Sequence, residues 1–190
     1  MMYFLDFDRT LFDTDTFNST LPDEPGCAAF ADELRAVVAA GRDETITGGE
    51  ARAAAWDKLR TAVEGKTLSF APGYLTRFLY PDVAECMRGL GNEAIVITYG
   101  SKTWQQAKVE SALADIVRVT ALYTDAAPKA DYLASWPGYY GQEAIFVDDR
   151  AAELELLAGR FPHLKLYEIR RDGKDGDGRW PVIRSLSELP

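Results

Sequence analysis

Two aspartates near the amino terminus, Asp6 and Asp8, lie where an apolar run gives way to polar residues. Side chains at positions i and i+2 of a strand project from the same side, so both carboxylates can converge just past the carboxyl end of a strand. Because neighbouring carboxylates repel each other, this spacing predicts a hard divalent cation with oxygen ligands between them. The same segment also fits an edge strand that ends in an acidic turn.

A second candidate group follows a later apolar run. Thr98 ends the run Ile95–Thr98, which predicts a hydroxyl at the same sheet edge as Asp6. Together with the backbone amides of Tyr99 and Gly100 at the start of a helix, this hydroxyl suits a phosphate group. A threonine at the end of a strand is also commonly only a helix cap or a turn residue.

A lysine and a second acidic pair complete the candidate residues. Lys129 follows Pro128 at the start of a predicted helix, where a lysine does not complement the helix dipole and is expected to have another partner. Asp148 and Asp149 end a further apolar run, and adjacent carboxylates there favour a shared cation. A solvated surface lysine and a plain acidic turn or helix cap are the ordinary alternatives.

The composition limits the functions to consider. The chain has 190 residues, 47% hydrophobic and 27% charged, which is enough for one buried core with a small insertion. Its net charge of -9 disfavours a nucleic acid polymer as a partner, although local cations and amides can still hold a small anion. Cys27 and Cys86 lie outside any Cys/His cluster, so we expect free thiols. No run has the length of a membrane span, and a cytoplasmic location is expected.

Short apolar runs alternate with helical patterns along most of the chain. This alternation predicts an α/β fold with three layers, in which a Rossmann-like, mostly parallel sheet has helices on both faces and its site at the carboxyl ends of the strands. The charged, alternating fifth run is typical of a strand nearer a sheet edge. The predicted strands are Met2–Phe7, Glu93–Thr98, Ile116–Tyr123, Ala144–Val147 and Leu164–Ile169, and the predicted helices are Asp82–Leu90, Lys102–Leu113, Lys129–Trp136 and Arg150–Ala158.

The segment from about Asp15 to Tyr80 breaks this alternation with two amphipathic helical patterns. The first stops at Gly41, and the second begins with a capping box, Thr47 to Glu50. We therefore predict a core of residues 1–15 and 79–190 and a helical insertion of residues 16–78; extra helical cover for the core is the alternative. The apolar faces are Phe30, Leu34, Val37 and Val38 in the first pattern, and Trp56, Leu59 and Val63 in the second.

Taken in order, these positions resemble the four motifs of the haloacid dehalogenase superfamily. The motifs correspond to Asp6-Phe7-Asp8-Arg9-Thr10, to Thr98, to Lys129 and to Asp148-Asp149. Each motif is weak or moderate by itself, whereas the ordered set is specific and extends over nearly the whole chain. The superfamily commonly places a helical cap between its first and second motifs, where this chain has its insertion.

The resemblance implies a phosphatase that works through an aspartyl-phosphate. Asp6 would attack the phosphorus, and Asp8 would protonate the leaving oxygen and then activate the hydrolytic water. Mg²⁺ would be held by the Asp6 carboxylate, the Asp8 main-chain carbonyl and Asp149, with Asp148 in an indirect or water-mediated contact. Thr98 and Lys129 would hold the phosphoryl oxygens, so the expected substrate is a small phosphorylated metabolite.

Several alternatives remain at this point. In the superfamily, dehalogenases lack an acid two residues after the nucleophile and ion-pumping ATPases carry threonine there, so Asp8 favours a phosphatase, with a phosphomutase as its nearest rival. A module that binds a phosphorylated ligand or a protein without turnover is a different class. Removal of phosphate from nucleic acid ends is opposed by the acidic composition. The substrate and the oligomeric state cannot be inferred from the sequence.

The remaining polar and aromatic positions have no firm role. Arg9 could reach a substrate or hold its turn through a salt bridge, and His163 is interpreted as structural. The acidic, glycine-rich stretch 171–178 could suggest a calcium loop. Counted from Asp175, however, the twelfth position, where an EF-hand needs glutamate, is Leu186, which indicates a solvated turn. Asp13 also stays unassigned, and the aromatic residues Phe17, Trp56, Tyr74 and Tyr80 fit a core better than a substrate pocket.

Overall fold

The first strand along the chain lies inside a parallel sheet of six strands in the order β3-β2-β1-β4-β5-β6. The computed structural model of the protein describes residues 1–39, 49–116, 119–125, 127–139, 141–176 and 178–190. β1 pairs with β2 on one side and with β4 on the other, both in parallel, so the carboxyl ends of these three strands meet at one edge. The strands are Met2–Leu5 (β1), Ala94–Thr98 (β2), Thr120–Tyr123 (β3), Ala144–Asp148 (β4), Leu164–Ile169 (β5) and Val182–Ile183 (β6).

Helices cover both faces of this sheet. The α-helices are Thr14–Thr20 (α1), Ala31–Ala39 (α2), Gly49–Glu64 (α3), Val83–Leu90 (α4), Lys102–Leu113 (α5), Lys129–Ser135 (α6) and Ala151–Arg160 (α7). β2 and β4 are buried throughout, as expected for continuous apolar runs in a sheet that is covered on both sides. One hydrophobic cluster contains Leu5 and Val96, and the other contains Phe4 and Ile97. The predicted three-layer α/β fold is confirmed.

Most predicted elements lie within a few residues of the observed ones, and the exceptions have local causes. β1 ends at Leu5 instead of Phe7, because the chain turns there and Phe7 O accepts the amides of both Leu11 and Phe12. β3 begins at Thr120; residues 117 and 118 of the predicted strand lie outside the described residues. α7 was predicted to end at Ala158, but it continues through Gly159 to Arg160. β6 was not predicted, since two residues are too few to give a pattern.

The inserted segment contributes helices, as predicted, and one that the sequence patterns missed. That helix, α1, begins after Asp13, whose side chain accepts the Thr16 amide as an N-cap. Leu34 and Leu59 are buried in the same hydrophobic cluster as Leu5, so the inserted helices pack toward one face of the sheet. The predicted stop at Gly41 and the first two residues of the capping box, Thr47 and Gly48, lie outside the described residues, and the boundaries 1–15, 16–78 and 79–190 stay a prediction.

The carboxyl-terminal part contains a turn at residues 171 and 172, then β6 and a short 3-10 helix, Leu186–Glu188. Asp177, in the acidic stretch, lies outside the described residues. Both cysteines are free. Of the helices in the described part of the chain, none has the length and apolar character needed to span a bilayer.

Candidate functional site

A buried lysine joins two carboxylates at the carboxyl edge of the sheet. Lys129 Nζ donates to Asp6 Oδ1 at 2.5 Å and to Asp148 Oδ2 at 2.6 Å. Asp6 follows β1 directly, Asp148 ends β4, and the lysine begins α6, so three elements meet at this point. All three side chains are buried. The partner that the sequence predicted for an amino-terminal lysine is therefore a pair of aspartates.

A third carboxylate joins this group. Oxygen atoms of Asp6, Asp148 and Asp149 all lie within 4.8 Å of one another. The two oxygens of Asp148 accept from Lys129 Nζ and, at 2.9 Å, from the amide of Arg150. Carboxylate oxygens are the ligands that a hard divalent cation prefers. The donor set of three carboxylates fits Mg²⁺, and both oxygens of Asp148 already accept from protein donors.

The charge of this group shifts the pKa of its members. Burial raises the pKa of Asp6 well above its ordinary value; Lys129 opposes the shift, and the carboxylates of Asp148 and Asp149 add to it. Burial by itself would lower the pKa of Lys129, but the negative charges of Asp148 and Asp6 outweigh it and raise that pKa. The lysine is therefore held as a cation among more negative charge than it can balance.

The Asp8 carboxylate has a set of contacts of its own, which does not include Lys129. Lys108 Nζ donates to Asp8 Oδ1 at 2.5 Å, and Thr14 Oγ1 donates to the same oxygen at 2.6 Å. Gln105 Nε2 donates to Oδ2 at 2.9 Å. The predicted strand end at residue 7 was wrong, since the chain leaves the strand at residue 5, and a role for Asp8 at a metal ion stays a prediction.

These contacts reverse the pKa shift. Burial alone would raise the pKa of Asp8, but the positive charge of Lys108 and the hydrogen bonds from Lys108, Thr14 and Gln105 outweigh it, so the pKa lies below its ordinary value. Asp8 is thus held as a carboxylate with its own cation, in contrast to Asp6.

The sequence patterns missed both residues of α5 in this set. Gln105 and Lys108 are buried on the helix face that also buries Val109 and Ala112. The available signal was their spacing of three positions on an otherwise apolar helix face, directly after Thr98 and its loop. A polar pair in that place indicates a partner inside the protein.

The predicted phosphate-binding residues lie at the same sheet edge but differ in what they offer. Thr98 is buried, and its hydroxyl has no hydrogen-bond partner among the described residues. The Gly100 amide donates to the carbonyl of Asp125 at 3.1 Å and is therefore already occupied. Tyr99 has an exposed side chain, and its carbonyl accepts from Gln105 Nε2 at 2.8 Å. The Thr98 hydroxyl is the group best placed to meet a ligand.

Two cavities open beside these groups. One, of about 420 Å³, is lined by Asp8, Trp104, Gln105 and Lys108 together with residues of α3. The other, of about 700 Å³, includes Asp149. Both are also lined by Arg9, Asn18 and Trp56. The cavities therefore adjoin the two carboxylate groups from the side of the inserted helices.

Arg9 and Asp13 have structural contacts. Arg9 has a positive φ of 62° and holds its turn through an ion pair with Asp15, while its side chain also lines both cavities. Asp13 caps α1.

The other unassigned residues are also placed. Phe17 is buried core, as expected, and packs edge-on against Phe12 and Phe78. Tyr80 lines the larger cavity beside the Arg171 guanidinium, and His163 is exposed in the turn before β5. Tyr74 is also exposed and stacks on Phe70.

Comparison with known proteins gives matches in structure alone. No protein-family model matches the chain, and no curated protein matches its sequence. A haloacid dehalogenase-like hydrolase from Burkholderia xenovorans has a TM-score of 0.68 at 18% identity, covering 99% of this chain and 94% of that one. Related hydrolases from Xanthomonas campestris and Streptococcus pneumoniae have TM-scores of 0.55 and 0.52 at 14% and 15% identity, covering 100% and 90% of this chain and 92% and 84% of theirs. At such identities, the likeness concerns the fold.

Proposed function

We propose that this chain, which has the fold of haloacid dehalogenase-like hydrolases, is a magnesium-dependent phosphatase acting on small phosphorylated metabolites. The observation that carries the proposal is the group of Asp6, Asp148 and Asp149, three carboxylates within 4.8 Å of one another beside one buried lysine. Such a group is costly to bury unless it serves a cation and an anionic ligand. Its place at the carboxyl ends of parallel strands is where sheets of this class bind ligands.

Asp6 is the proposed nucleophile. Lys129 holds its Oδ1 and thereby fixes the orientation of the carboxylate, so that Oδ2 can attack a phosphorus atom placed above the sheet edge. The new bond joins Asp6 to phosphorus, and the bond from phosphorus to the leaving oxygen breaks. The hydroxyl of Thr98, which has no partner among the described residues, and the ammonium of Lys129 would donate hydrogen bonds to the phosphoryl oxygens.

Mg²⁺ is the proposed cofactor. The residues that would hold it are Asp6 and Asp149 through their carboxylates and Asp8 through its main-chain carbonyl, while Asp148 would keep Lys129 in place. The ion, when bound, offsets the repulsion between an anionic nucleophile and an anionic phosphate.

Asp8 is the proposed acid and base. It would give a proton to the leaving oxygen and then take one from the water that hydrolyses the aspartyl-phosphate, which returns Asp8 to the form that begins the cycle. Its protein partners favour the carboxylate, whereas the dianionic phosphoryl group of a substrate beside it favours the protonated form. These opposing influences suit a group that must act in both directions.

The experiment is a screen for phosphate release from phosphorylated metabolites, with and without Mg²⁺. We expect Asp6→Asn to lower the rate by roughly 10³-fold or more, because it removes the nucleophile. Asp32→Asn, which changes a fully solvated carboxylate on α2, is the matched control and should behave as wild type. Equal release by wild type and Asp6→Asn would refute the nucleophile assignment.

Further outcomes separate the alternatives. Transfer of the phosphoryl group to a second position of the substrate, without free phosphate, would identify a phosphomutase. Binding of phosphorylated compounds without turnover across a broad panel would favour a binding module. A mass increase at Asp6 with beryllium fluoride tests the covalent step separately, since this ion mimics a bound phosphoryl group.

A further inference from the structure

The Asp8 carboxylate is held on both oxygens by side chains outside the four sequence motifs. Lys108 Nζ and Thr14 Oγ1 donate to Oδ1, at 2.5 Å and 2.6 Å, and Gln105 Nε2 donates to Oδ2 at 2.9 Å. Two of these donors come from consecutive turns of α5, a regular helix of twelve residues. Donors on both oxygens fix the plane of the carboxylate, which a single ion pair would leave free to rotate.

Gln105 also connects Asp8 to the Thr98 loop. Its Nε2 donates a second hydrogen bond, to the Tyr99 carbonyl at 2.8 Å, so one amide group bridges the acid/base carboxylate and the backbone next to Thr98. Gly100 permits this approach: it has a φ of 118°, and a Cβ there would lie 3.1 Å from Gln105 Nε2. The Gln105 bridge therefore depends on the loop of Tyr99 and Gly100, which the sequence predicted to bind phosphate.

The donors are more buried than the carboxylate that they hold. The Asp8 side chain is 23% exposed, whereas the Lys108 side chain is 3% exposed and Gln105 is 5% exposed. Lys108 is further packed among the rings of Phe7, Phe12 and Trp104, with its Nζ 5.5 to 5.8 Å from their centres. A substrate in the cavity of about 420 Å³ would thus meet Asp8 more readily than its buried partners.

We propose that Gln105 and Lys108 are positioning residues, which orient the Asp8 carboxyl toward the leaving oxygen and hold it at a fixed position relative to the Thr98 loop. The inference rests on the proposed phosphatase activity. When the bond from phosphorus to the leaving oxygen breaks, the electron pair stays on that oxygen and the proton comes from Asp8. A misaligned Asp8 slows this step most when the leaving oxygen is strongly basic and needs the proton.

The test compares two aryl phosphates whose leaving groups differ in basicity. For Gln105→Met, which keeps the length of the side chain but removes the amide, we expect kcat/KM to fall roughly 100-fold with phenyl phosphate and less than about 10-fold with 4-nitrophenyl phosphate. This parameter reports phosphoryl transfer up to the first irreversible step and is not affected by slow hydrolysis of the intermediate. Gln106→Met is the matched control: Gln106 bonds to Glu110 on the same helix, and both substrates should react as with wild type.

The results against the inference are distinct from those against the phosphatase proposal. Equal losses with both substrates would show that Gln105 only supports the fold, and a rise in KM alone would show that it binds substrate directly; either result overturns the positioning role. If wild type releases phosphate neither from the two aryl phosphates nor from any compound of the metabolite panel, the phosphatase proposal fails and the inference falls with it.

Lys108 is tested through a substitution that keeps the charge. Lys108→Arg preserves a cation beside Asp8, so the protein should fold, but the planar guanidinium cannot reproduce the contact of a single ammonium. We expect the same selective loss with phenyl phosphate, about 10-fold or more. Lys102→Arg, at the exposed start of α5, is the control. Wild-type ratios for Lys108→Arg would overturn the role of Lys108.

Discussion

Two buried lysines lie at the same edge of the sheet, and they serve their carboxylates differently. Lys129 is shared by Asp6 and Asp148 in a group of three carboxylates, whereas Lys108 donates to Asp8. The pKa shifts follow this difference, since Asp6 is shifted upward and Asp8 downward. The comparison indicates that the first group, with three carboxylates close together around one buried lysine, suits a metal ion, while the Asp8 carboxylate has a buried lysine of its own.

The largest expected effect comes from removing each lysine in turn. Lys129→Met would leave two buried carboxylates without their cation, and we expect the free energy of unfolding to fall by roughly 3 to 5 kcal/mol in the presence of EDTA. Lys108→Met should cost about 1.5 to 3 kcal/mol, because Asp8 keeps its bonds from Thr14 and Gln105 and is partly exposed. Urea denaturation of both variants measures the difference. Equal losses would show that the two groups do not differ in charge balance.

Mg²⁺ should stabilise the folded protein through the group of Asp6, Asp148 and Asp149 and not through the Asp8 carboxylate. At 100 times its dissociation constant, an ion that binds the folded state adds about 2.7 kcal/mol, which corresponds to roughly 5 to 10 °C in Tm. We expect Asp149→Asn to abolish this response and Asp8→Asn to keep it, since the latter retains the main-chain carbonyl. Thermal scans with and without Mg²⁺ provide the measurement. Loss of the response in Asp8→Asn would show that the Asp8 carboxylate, and not only its main-chain carbonyl, contributes to the metal site.

The sequence predicted the first lysine group but not the second, for a physical reason. Asp6, Thr98 and Asp148 each end or follow a continuous apolar run, and parallel strands bring such ends to one edge whatever the details of the loops. The order of runs along the chain was therefore enough to predict the sheet and its edge.

The second group depends on a helix and a turn, for which the sequence signal is weaker. Gln105 and Lys108 become site residues only because α5 packs with that face against the turn after β1. The chain leaves the strand two residues earlier than predicted and enters a turn with Arg9 at a positive φ, and the Asp8 carboxylate after that strand meets α5. Periodicity describes one element at a time, so a contact between a helix face and a turn is invisible to it.

The carboxylate of Asp82, for which no catalytic role is proposed, extends the comparison. Asp82 Oδ2 accepts from Arg171 and Ser185 and from the Leu186 amide, and it joins the start of α4 to the carboxyl-terminal segment. Burial alone would raise the pKa of Asp82, but these donors outweigh it and lower that pKa. Like Asp8, it is a carboxylate balanced by the protein.

We expect Asp82→Asn to lower the free energy of unfolding by about 2 kcal/mol at pH 7 without changing the dependence on leaving group. Because the folded pKa lies below the ordinary value of 3.8, the stabilisation is present above that value and is lost as the pH falls through the folded pKa. Urea denaturation at several pH values should therefore show wild type and variant converging below about pH 4. A difference that persists at lower pH would mean that the contact does not depend on the charge of Asp82.

The smallest effect on stability is expected at Thr98, which has neither lysine as a partner. Its buried hydroxyl has no hydrogen-bond partner in the described part of the chain, so Thr98→Val removes an unsatisfied group and keeps the shape of the side chain. The free energy of unfolding should stay within about 1 kcal/mol of wild type or rise slightly, while kcat/KM for phosphate release falls roughly 10- to 100-fold. Thr103→Val, at a partly exposed position on α5, is the control for the substitution itself. A clear loss of stability with unchanged kcat/KM would mean that the Thr98 hydroxyl supports the fold and does not bind the phosphoryl group. The charges of the two lysine groups would not be affected by that result.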